Sequence, residues 1–233
     1  MKTDCIQVTR FEQNCSILRC EASGAAAVID PGGDLHLILD LLEWEDARLE
    51  LILVTHGHFD HAGGAAALAR ETGARIEGPH AAEAPLVARL AEAARHRGLR
   101  AESYAPVRWL GDGDVVTFGE QRLEVLHCPG HSRGHVAYFH RETRQAFVGD
   151  ILFRGAIGAW EHGDGDLAQL IASIRGKLFA LGDDVSFVPG HGETSTMGRE
   201  RRDNPFVGDE AFARWQQRKT LAPTLPKMRD PSL

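Results

Sequence analysis

The sequence predicts a protein that mixes β-strands with α-helices along its length, of either the α/β or the α+β class. Short apolar runs rich in β-branched or aromatic residues recur along its 233 residues, and such runs are typical of strands. Stretches with apolar residues at helical spacing lie between these runs. A hydrophobic content of 43% and a charged content of 25% are typical of a soluble globular protein.

Seven runs have the length of a strand, and nearby glycine or proline supports the assignment. In chain order they are residues 15–20, 25–30, 49–55, 122–128, 135–140, 145–150 and 185–190. Five stretches have a helical pattern, at residues 35–45, 65–72, 80–98, 166–181 and 209–219. The tail of residues 220–233 carries three prolines, and we predict that it either wraps over the surface or is mobile.

The composition argues against several classes of protein. The net charge of −7 disfavours a nucleic-acid-binding protein, which usually has a basic surface. No apolar run approaches the roughly 18 residues of a membrane span, and the N-terminus lacks the apolar segment of a secretory signal. The cysteines lack C-x-x-C spacing, which favours reduced thiols: Cys5, Cys15, Cys20 and Cys128. We therefore predict a cytoplasmic protein that binds neither nucleic acid nor membrane, and the sequence makes no prediction of its oligomeric state.

Metal-binding side chains follow five of the predicted strands. An acid or a histidine comes just after the apolar run in each case: Asp30, His56, His131, Asp150 and His191. In a layered sheet protein, strand ends converge on one rim, where sites are commonly built. We therefore expect these five residues to lie close together.

The stretch "THGHFDH" at residues 55–61 contains three histidines and an aspartate. In an extended segment, side chains two positions apart point the same way, so His56 and His58 could bind one ion together. A tetrahedral zinc with three protein ligands and a water needs a third histidine. His131, in the rigid turn "CPGH", could supply it.

A second ion could lie beside the first. Asp60 and His61 come just where a predicted helix begins, and His191 in "PGHGE" could complete their ligand set. Asp150 offers two carboxylate oxygens and could bridge both ions. Five histidines and two aspartates suit zinc, iron or nickel better than magnesium or calcium, which prefer all-oxygen sites. We predict two divalent ions, zinc first, with iron or a mixed zinc–iron pair as the alternative.

Two neighbouring divalent ions define the expected chemistry. One zinc can lower the pKa of its bound water to about 7, so a water bridging two ions would lose a proton near neutral pH. The resulting hydroxide is a strong nucleophile, and one ion can also polarise a carbonyl or phosphoryl oxygen of the substrate. We therefore predict a hydrolase that requires no serine or cysteine nucleophile.

Four motifs, in this order, resemble those of the metallo-β-lactamase superfamily: "THGHFDH", "CPGHSRGHV", "GDILFRG" and "PGHGETS". The resemblance covers roughly residues 10–207. It implies the α+β class and an αββα sandwich, in which two packed mixed β-sheets carry helices on their outer faces. It also implies a single metallo-β-lactamase-like domain over residues 1–233.

The resemblance also implies a role for each proposed ligand. It assigns the first metal site to three histidines, the second to an aspartate and two histidines, and the bridge to another aspartate. In that order, the residues are His56, His58 and His131; Asp60, His61 and His191; and Asp150. We expect Asp60 and Asp150 to act catalytically as well, by orienting the bridging hydroxide.

Within the superfamily, "DILFRGAIG" and "PGHGETSTMGRERRDNPF" resemble small bacterial enzymes of the glyoxalase II type. These enzymes are thioesterases that hydrolyse substrates such as hydroxyacylglutathione. Such enzymes usually carry a glycine-arginine-threonine-aspartate-phenylalanine run after the bridging aspartate, whereas here Gly158 is followed by Ala159, Trp160, Glu161 and His162. From the short stretch after "NPF" we also expect no counterpart of the longer C-terminal helical domain that some of these enzymes use to bind glutathione.

We predict a small-molecule thioester or ester substrate, with the thiol carrier left open. The candidate substrate-binding residues are Arg154, Trp160 and Arg202. A lactone or another ester is a near variant of the same hydrolysis. Three further residues could support the metal ligands: His127 and His135, which flank the turn at 129–131, and Asp30, which is otherwise a turn former.

Two functions of other classes are the alternatives. The first is a mononuclear non-haem iron persulfide dioxygenase, an enzyme with a similar fold. It would hold iron by two histidines and one carboxylate. The tail segment "RKTLAPTLPK" faintly resembles that group, whereas "RERRDNPF" favours the hydrolase. A non-catalytic scaffold is disfavoured, because structural zinc sites are closed and usually rich in cysteine. Metal content separates the two enzymes: about two ions per chain for the hydrolase and one iron for the dioxygenase.

Overall fold

Two β-sheets pack face to face, and helices cover the outer face of each sheet. The computed structural model describes residues 1–161 and 163–221. His162 and most of the predicted tail at 220–233 therefore lie outside the described residues. Within the described ranges, no helix is both long enough and apolar enough to cross a membrane.

All seven predicted strands are present in the two sheets. The first sheet consists of β1 (Lys2–Val8), β2 (Gln13–Arg19), β3 (Ala25–Ile29), β4 (Arg48–Leu53) and β5 (Arg75–Glu77), side by side in this order. The second consists, in spatial order, of β6 (Val115–Phe118), β7 (Gln121–His127), β8 (Val136–His140), β9 (Gln145–Gly149), β12 (Ser186–Pro189) and β13 (Ser195–Thr196). A separate hairpin is formed by β10 (Leu152–Phe153) and β11 (Ala156–Ile157).

The helices follow the predicted pattern, but two of the predicted stretches are interrupted. The α-helices are α1 (Leu35–Trp44), α2 (Phe59–Ala62), α3 (Ala65–Thr72), α4 (Ala84–Ala88), α5 (Leu90–His96), α6 (Leu167–Ser173), α7 (Met197–Asp203) and α8 (Asp209–Leu221). The stretch at 80–98 is a 3₁₀ turn (Ala81–Glu83) followed by α4 and α5, which are separated at Arg89. The stretch at 166–181 continues from α6 into a π-helix (Ile174–Leu178) and a 3₁₀ turn (Phe179–Leu181). Apolar periodicity reports which side is buried, and it does not distinguish these hydrogen-bond patterns.

Three hydrophobic clusters separate four layers of structure. Leu51 of β4 and Tyr138 of β8 belong to the cluster between the two sheets. Their neighbours Ile52 and Phe139 point the other way and pack against the helices outside the first and the second sheet, respectively. Because both faces of both sheets are covered, the strands read as continuous apolar runs. The predicted αββα sandwich of the α+β class is confirmed.

An ion network around the buried Glu77 joins the two sheets where their edge strands meet. Glu77 of β5 accepts hydrogen bonds from Nε of Arg75 at 2.8 Å and from Nε of Arg108 at 2.9 Å. The same two guanidinium groups donate to the carbonyl oxygens of Thr117 and Val115 in β6, at 2.8 and 2.9 Å. The network satisfies carbonyl groups that an edge strand would otherwise expose.

Five strand ends meet at one rim of the sandwich. β3 and β4 are parallel, as are β9 and β12, and β7 runs in the same direction as β9 because both are antiparallel to β8. At this rim, backbone hydrogen bonds join a strand of each sheet to a loop of the other sheet. The nitrogen of Asn14 donates to the carbonyl oxygen of Gly190 at 2.7 Å, and that of Val136 donates to Thr55 at 2.8 Å. The predicted convergence of strand ends is therefore observed.

Candidate metal centre

Three histidines form a first cluster at this rim. Nε2 of His56 lies 2.9 Å from Nδ1 of His58, and Nε2 of His131 lies 3.0 Å from the same Nδ1. Nitrogens bound tetrahedrally to one zinc would lie about 3.3 Å apart, so these three have nearly that spacing. Burial, followed by the imidazole of His131, lowers the pKa of His58 to about 3, and burial also lowers the pKa of His56. The rings of His56 and His58 are therefore neutral, which is the form that binds a metal.

An aspartate and two histidines form a second cluster beside the first. Asp60 and His61 lie in α2, which begins directly after the first two histidines, and His191 follows β12. Oδ2 of Asp60 lies 3.4 Å from Nε2 of His191, and one potential ligand atom from each of the three residues lies within 4.8 Å of the others. These donors could hold a second ion.

Asp150 lies between the two clusters, directly after β9. Its Oδ1 lies 3.3 Å from Nε2 of His61, and its Oδ2 lies 3.7 Å from Nε2 of His131. Oδ1 of Asp150 and Nε2 of His61 are buried polar atoms that lack a hydrogen bond of good geometry, although buried polar groups normally have one. A cation between them would satisfy both atoms.

The charges around Asp150 also favour a cation. Burial raises the pKa of the Asp150 carboxyl, but the imidazole of His61, helped by His131 and His191, outweighs burial and holds that pKa below its usual range. Burial likewise lowers the pKa of His61, but the carboxylates of Asp150 and Asp30 raise it by more. The carboxylates therefore stabilise positive charge at this point. A donor set of five imidazoles and two carboxylates fits two divalent transition-metal ions.

Four of the rings are held from the side that faces away from the clusters. The partners of Nδ1 are Oγ1 of Thr55 for His56 (3.0 Å), Oδ2 of Asp30 for His61 (2.9 Å), the carbonyl oxygen of Ala159 for His131 (2.8 Å) and the carbonyl oxygen of Phe11 for His191 (3.0 Å). Carbonyl and carboxylate oxygens only accept, so Nδ1 carries a proton in the last three rings and Nε2 is the nitrogen that could bind a metal. Such partners orient a ligating ring and set its tautomer.

Asp30 supports both clusters from one position. Its Oδ2 accepts from Nδ1 of His61 and from Oγ1 of Thr55, and its Oδ1 accepts from the nitrogen of Thr55 at 2.7 Å. Since Thr55 donates its hydroxyl proton to Asp30, its oxygen accepts from Nδ1 of His56. The φ angle of Asp30 is 55°, in the left-handed region that aspartate adopts more readily than most residues. Asp30 therefore lies in a turn and also contacts a proposed ligand, and its support of a metal site stays a prediction.

The two histidines predicted as partners differ in position. His135 is buried, its ring stacks on that of His56 at a centroid distance of 4.5 Å, and its Nε2 accepts from the nitrogen of Asp150 at 3.1 Å. His127 instead stacks on His80, with ring centroids 4.2 Å apart. The geometry therefore gives His135 a supporting position at the clusters and places His127 against another ring.

The three residues predicted to bind substrate have different surroundings. Arg154 forms an ion pair with Glu193, two positions after the last proposed ligand. Trp160 directly follows Ala159, whose carbonyl oxygen accepts from Nδ1 of His131. The ring of Trp160 lies edge-on to that of Phe206, with ring centroids 6.4 Å apart. Arg202 lies exposed on α7. Their roles towards a substrate stay predictions.

Glu83 connects two loops of the centre, and no sequence pattern indicated it. The residue is 0% exposed. Its Oε2 accepts from the nitrogen of Gly57 at 2.8 Å, and its Oε1 accepts from the nitrogen of Gly134 at 2.6 Å. Gly57 separates the first two histidines of the first cluster, and Gly134 lies three residues after the third histidine. One carboxylate therefore fixes the position of both loops.

Replacing Glu83 with glutamine is expected to weaken zinc binding about tenfold, the lower end of what such supporting residues contribute. The amide keeps one acceptor oxygen, but its NH₂ group would face a backbone N–H. Competition with a chelator measures the affinity, and the visible spectrum of the Co²⁺-substituted protein reports the ligand geometry.

Glu200→Gln is the matched control. Glu200 is also buried, at 1% exposure, and accepts from the nitrogen of Gly155 at 2.8 Å and from Nδ2 of Asn204 at 2.9 Å. None of these partners is a proposed ligand. Equal zinc affinities in the two variants would show that Glu83 stabilises the fold and has no separate effect on metal binding.

Comparison with known proteins shows the family. The sequence profile of the metallo-beta-lactamase superfamily matches residues 8–191. The protein named hydroxyacylglutathione hydrolase GloC from Haemophilus influenzae is 38% identical over 213 residues, which cover 91% of this chain and 100% of that protein.

Two solved structures share the fold over most of the chain. The crystal structure of BLEG-1 B3 metallo-beta-lactamase has a TM-score of 0.81 and 30% identity, and the match covers 88% of this chain and 99% of that one. The crystal structure of TTHA1623 in a di-iron-bound form has a TM-score of 0.79 and 35% identity, with 87% and 99% covered.

An αββα sandwich with histidines and aspartates gathered at its rim is a metal-binding fold, and the chain belongs to the metallo-beta-lactamase superfamily. Within that superfamily, the chain is a glyoxalase II-like, metal-dependent hydrolase that acts on a small molecule. The predicted family and enzyme class are thereby confirmed.

Proposed function

We propose that the chain is a dinuclear thioester hydrolase that acts on hydroxyacylglutathione or a closely similar thioester. The observation that carries the proposal is the pair of three-residue clusters with Asp150 between them. Two divalent ions bound there would lower the pKa of a shared water enough to supply a nucleophile near neutral pH, and would polarise the thioester carbonyl. We propose zinc first and iron or a mixed pair second, because imidazole with carboxylate suits both metals.

The side chains of the chain itself prepare the reaction. Four imidazoles are oriented by partners on their outer nitrogens, so the site needs little reorganisation when substrate binds. Burial raises the pKa of the Asp60 carboxyl, but the hydrogen bond with His191 and the charge of His61 together lower it by more, so Asp60 is ionised at neutral pH. We infer that Asp60 and Asp150 would accept hydrogen bonds from a water between the clusters and would hold it in one orientation.

The relatives support a thioester substrate. The alignment with GloC covers all of that protein, so a relative named for hydroxyacylglutathione hydrolysis needs no domain beyond the shared region. A glutathione thioester is therefore compatible with the region that this chain shares with that protein. All four cysteines are unpaired, which supports the proposed cytoplasmic location.

A substrate panel run on protein of measured metal content tests the proposal. We expect turnover of S-2-hydroxyacylglutathione by protein that holds about two ions per chain, loss of turnover on chelation, and recovery when zinc or iron is added. Lactones and β-lactams are expected to react more slowly. The persulfide dioxygenase alternative predicts one iron per chain and oxygen uptake with glutathione persulfide. That result, or faster turnover of β-lactams than of thioesters, would refute the proposal.

A further inference from the structure

A cavity of about 220 Å³ opens beside the first cluster, between the loop that follows β4 and helices α4 and α5. One wall includes His58 and Phe59, and the other includes Leu86, Arg89, Glu92 and His96. Because His58 is a proposed metal ligand, the cavity begins at the metal centre. At about 30 Å³ of liquid volume per water molecule, the cavity has room for one arm of a substrate and not for a whole glutathione thioester.

Both walls are held in position relative to the first cluster. α4 begins directly after Glu83, whose carboxylate binds the backbone nitrogens of Gly57 and Gly134. On the opposite wall, Phe59 packs edge-on against Phe11 with ring centroids 5.3 Å apart. A cavity with fixed walls beside the reacting centre has the rigidity that a substrate subsite requires.

The cavity combines an apolar interior with a charged rim. Phe59 and Leu86 are half-buried, whereas Arg89, Glu92 and His96 are exposed. Nε of Arg89 donates to Oε2 of Glu92 at 3.3 Å, and Oε1 of Glu92 lies 4.0 Å from Nε2 of His96. Arginine keeps its positive charge at every physiological pH. An exposed pair at this distance is weak, so a substrate anion can compete with Glu92 for the guanidinium group.

The segment that forms this rim is basic, although the chain as a whole is acidic. Residues 84–100 contain four arginines and one glutamate, a net charge of +3, whereas the full chain has a net charge of −7. A concentration of one sign of charge beside a cleft attracts and steers ligands of the opposite sign. The charge pattern therefore indicates an anionic group on the substrate.

We propose that this cavity binds a carboxylate-bearing arm of the thioester substrate, with the carboxylate on Arg89 and the carbon chain against Phe59 and Leu86. The inference rests on the thioester hydrolase function proposed above and adds to it the position at which a substrate carboxylate binds. The carboxylate belongs either to the thiol carrier or to the acyl group, and paired substrates distinguish these two sources.

Matched thioesters that differ only in a terminal carboxylate or amide test the proposal. One pair carries the difference on the thiol (3-mercaptopropanoate against 3-mercaptopropanamide), and the other carries it on the acyl group (succinyl against succinamoyl esters of a neutral thiol). The zinc-loaded wild type should prefer the carboxylate in one pair by kcat/KM. Arg89→Gln is expected to lower that preference about fivefold, the upper value for an exposed charge pair. Glu92→Gln should raise the preference, because it removes a competing carboxylate.

Arg95→Gln is the control, since Arg95 is exposed on α5, the helix that follows Arg89, but does not line the cavity. It should leave the preference unchanged. If Arg95→Gln lowers the preference for the carboxylate as much as Arg89→Gln does, the effect comes from the overall positive charge of this segment. The assignment of the carboxylate to Arg89 is then wrong.

A binding measurement separates this proposal from the function on which it rests. Calorimetric titration of zinc-loaded protein with 3-(methylthio)propanoate and with its amide needs no turnover. If no thioester is hydrolysed but an Arg89-dependent preference for the carboxylate remains, the proposed function fails and the cavity proposal stands. If the wild type shows no preference in either assay, or if Arg89→Gln changes carboxylate and amide alike, the cavity proposal is overturned.

Discussion

Replacing Asp150 with alanine is expected to lower kcat/KM for a thioester at least about a thousandfold and to release metal. Oδ1 of Asp150 lies 3.3 Å from Nε2 of His61, and its Oδ2 lies 3.7 Å from Nε2 of His131. Asp150 is therefore the ligand that both clusters would share. Metal ions contribute several kcal/mol to transition-state stabilisation, and about 1.4 kcal/mol corresponds to a tenfold change in rate. Steady-state kinetics and metal analysis of one preparation measure both effects.

Asp184→Ala is the matched control for this variant. Asp184 is an exposed carboxylate that pairs with Arg144 at 2.7 Å. We expect the control to keep its metal and its turnover. The role of Asp150 would be wrong if a folded Asp150→Ala protein, as judged by its thermal transition, kept two ions and turnover within tenfold of the wild type.

Replacing Gly190 with alanine is expected to lower kcat/KM about a hundredfold, although it adds a single methyl group. A Cβ atom there would overlap Oδ1 of Asp150 and lie 2.6 Å from Cε1 of His61. The backbone is held on both sides, because the nitrogen of Gly190 donates to Gly149 at 2.8 Å and its carbonyl oxygen accepts from Asn14 at 2.7 Å. The side chains must therefore shift, and a shift of about 1 Å can cost a hundredfold in rate.

Gly176→Ala is the control for this substitution. Gly176 lies in the π-helix, and a Cβ atom there would meet nothing within 4 Å. Its kcat/KM and metal content should stay within twofold of the wild type, which kinetics and elemental analysis both check. Normal turnover and two tightly bound ions in Gly190→Ala would show that the packing described around Asp150 is wrong.

The rim of the sandwich could be predicted from the sequence because its strands are buried on both faces. Such strands stand out as continuous apolar runs, and the first polar residues after each run mark its end. His56, His131, Asp150 and His191 all follow runs of this kind. The structure brings them together with the remaining residues of the stretch at 55–61.

The contacts that support these residues could not be predicted in the same way. Glu83 lies in a stretch with helical periodicity, where an acidic residue is expected on the surface. It is buried because the 3₁₀ turn before α4 faces two loops from distant parts of the chain. β5 was missed for a related reason. Two of its three residues are Arg75 and Glu77, which are charged and become buried or paired only where the edges of both sheets meet.

The central claim is that two metal ions lie side by side and share Asp150. Anomalous difference maps at the zinc and iron absorption edges, from crystals of protein purified without added metal, test this claim most directly. We predict two peaks about 3.5–4 Å apart, with Asp150 reaching both. One peak should lie among His56, His58 and His131, and the other beside Asp60, His61 and His191. A map without peaks, or one ion held only by two histidines and Asp150, would contradict the claim.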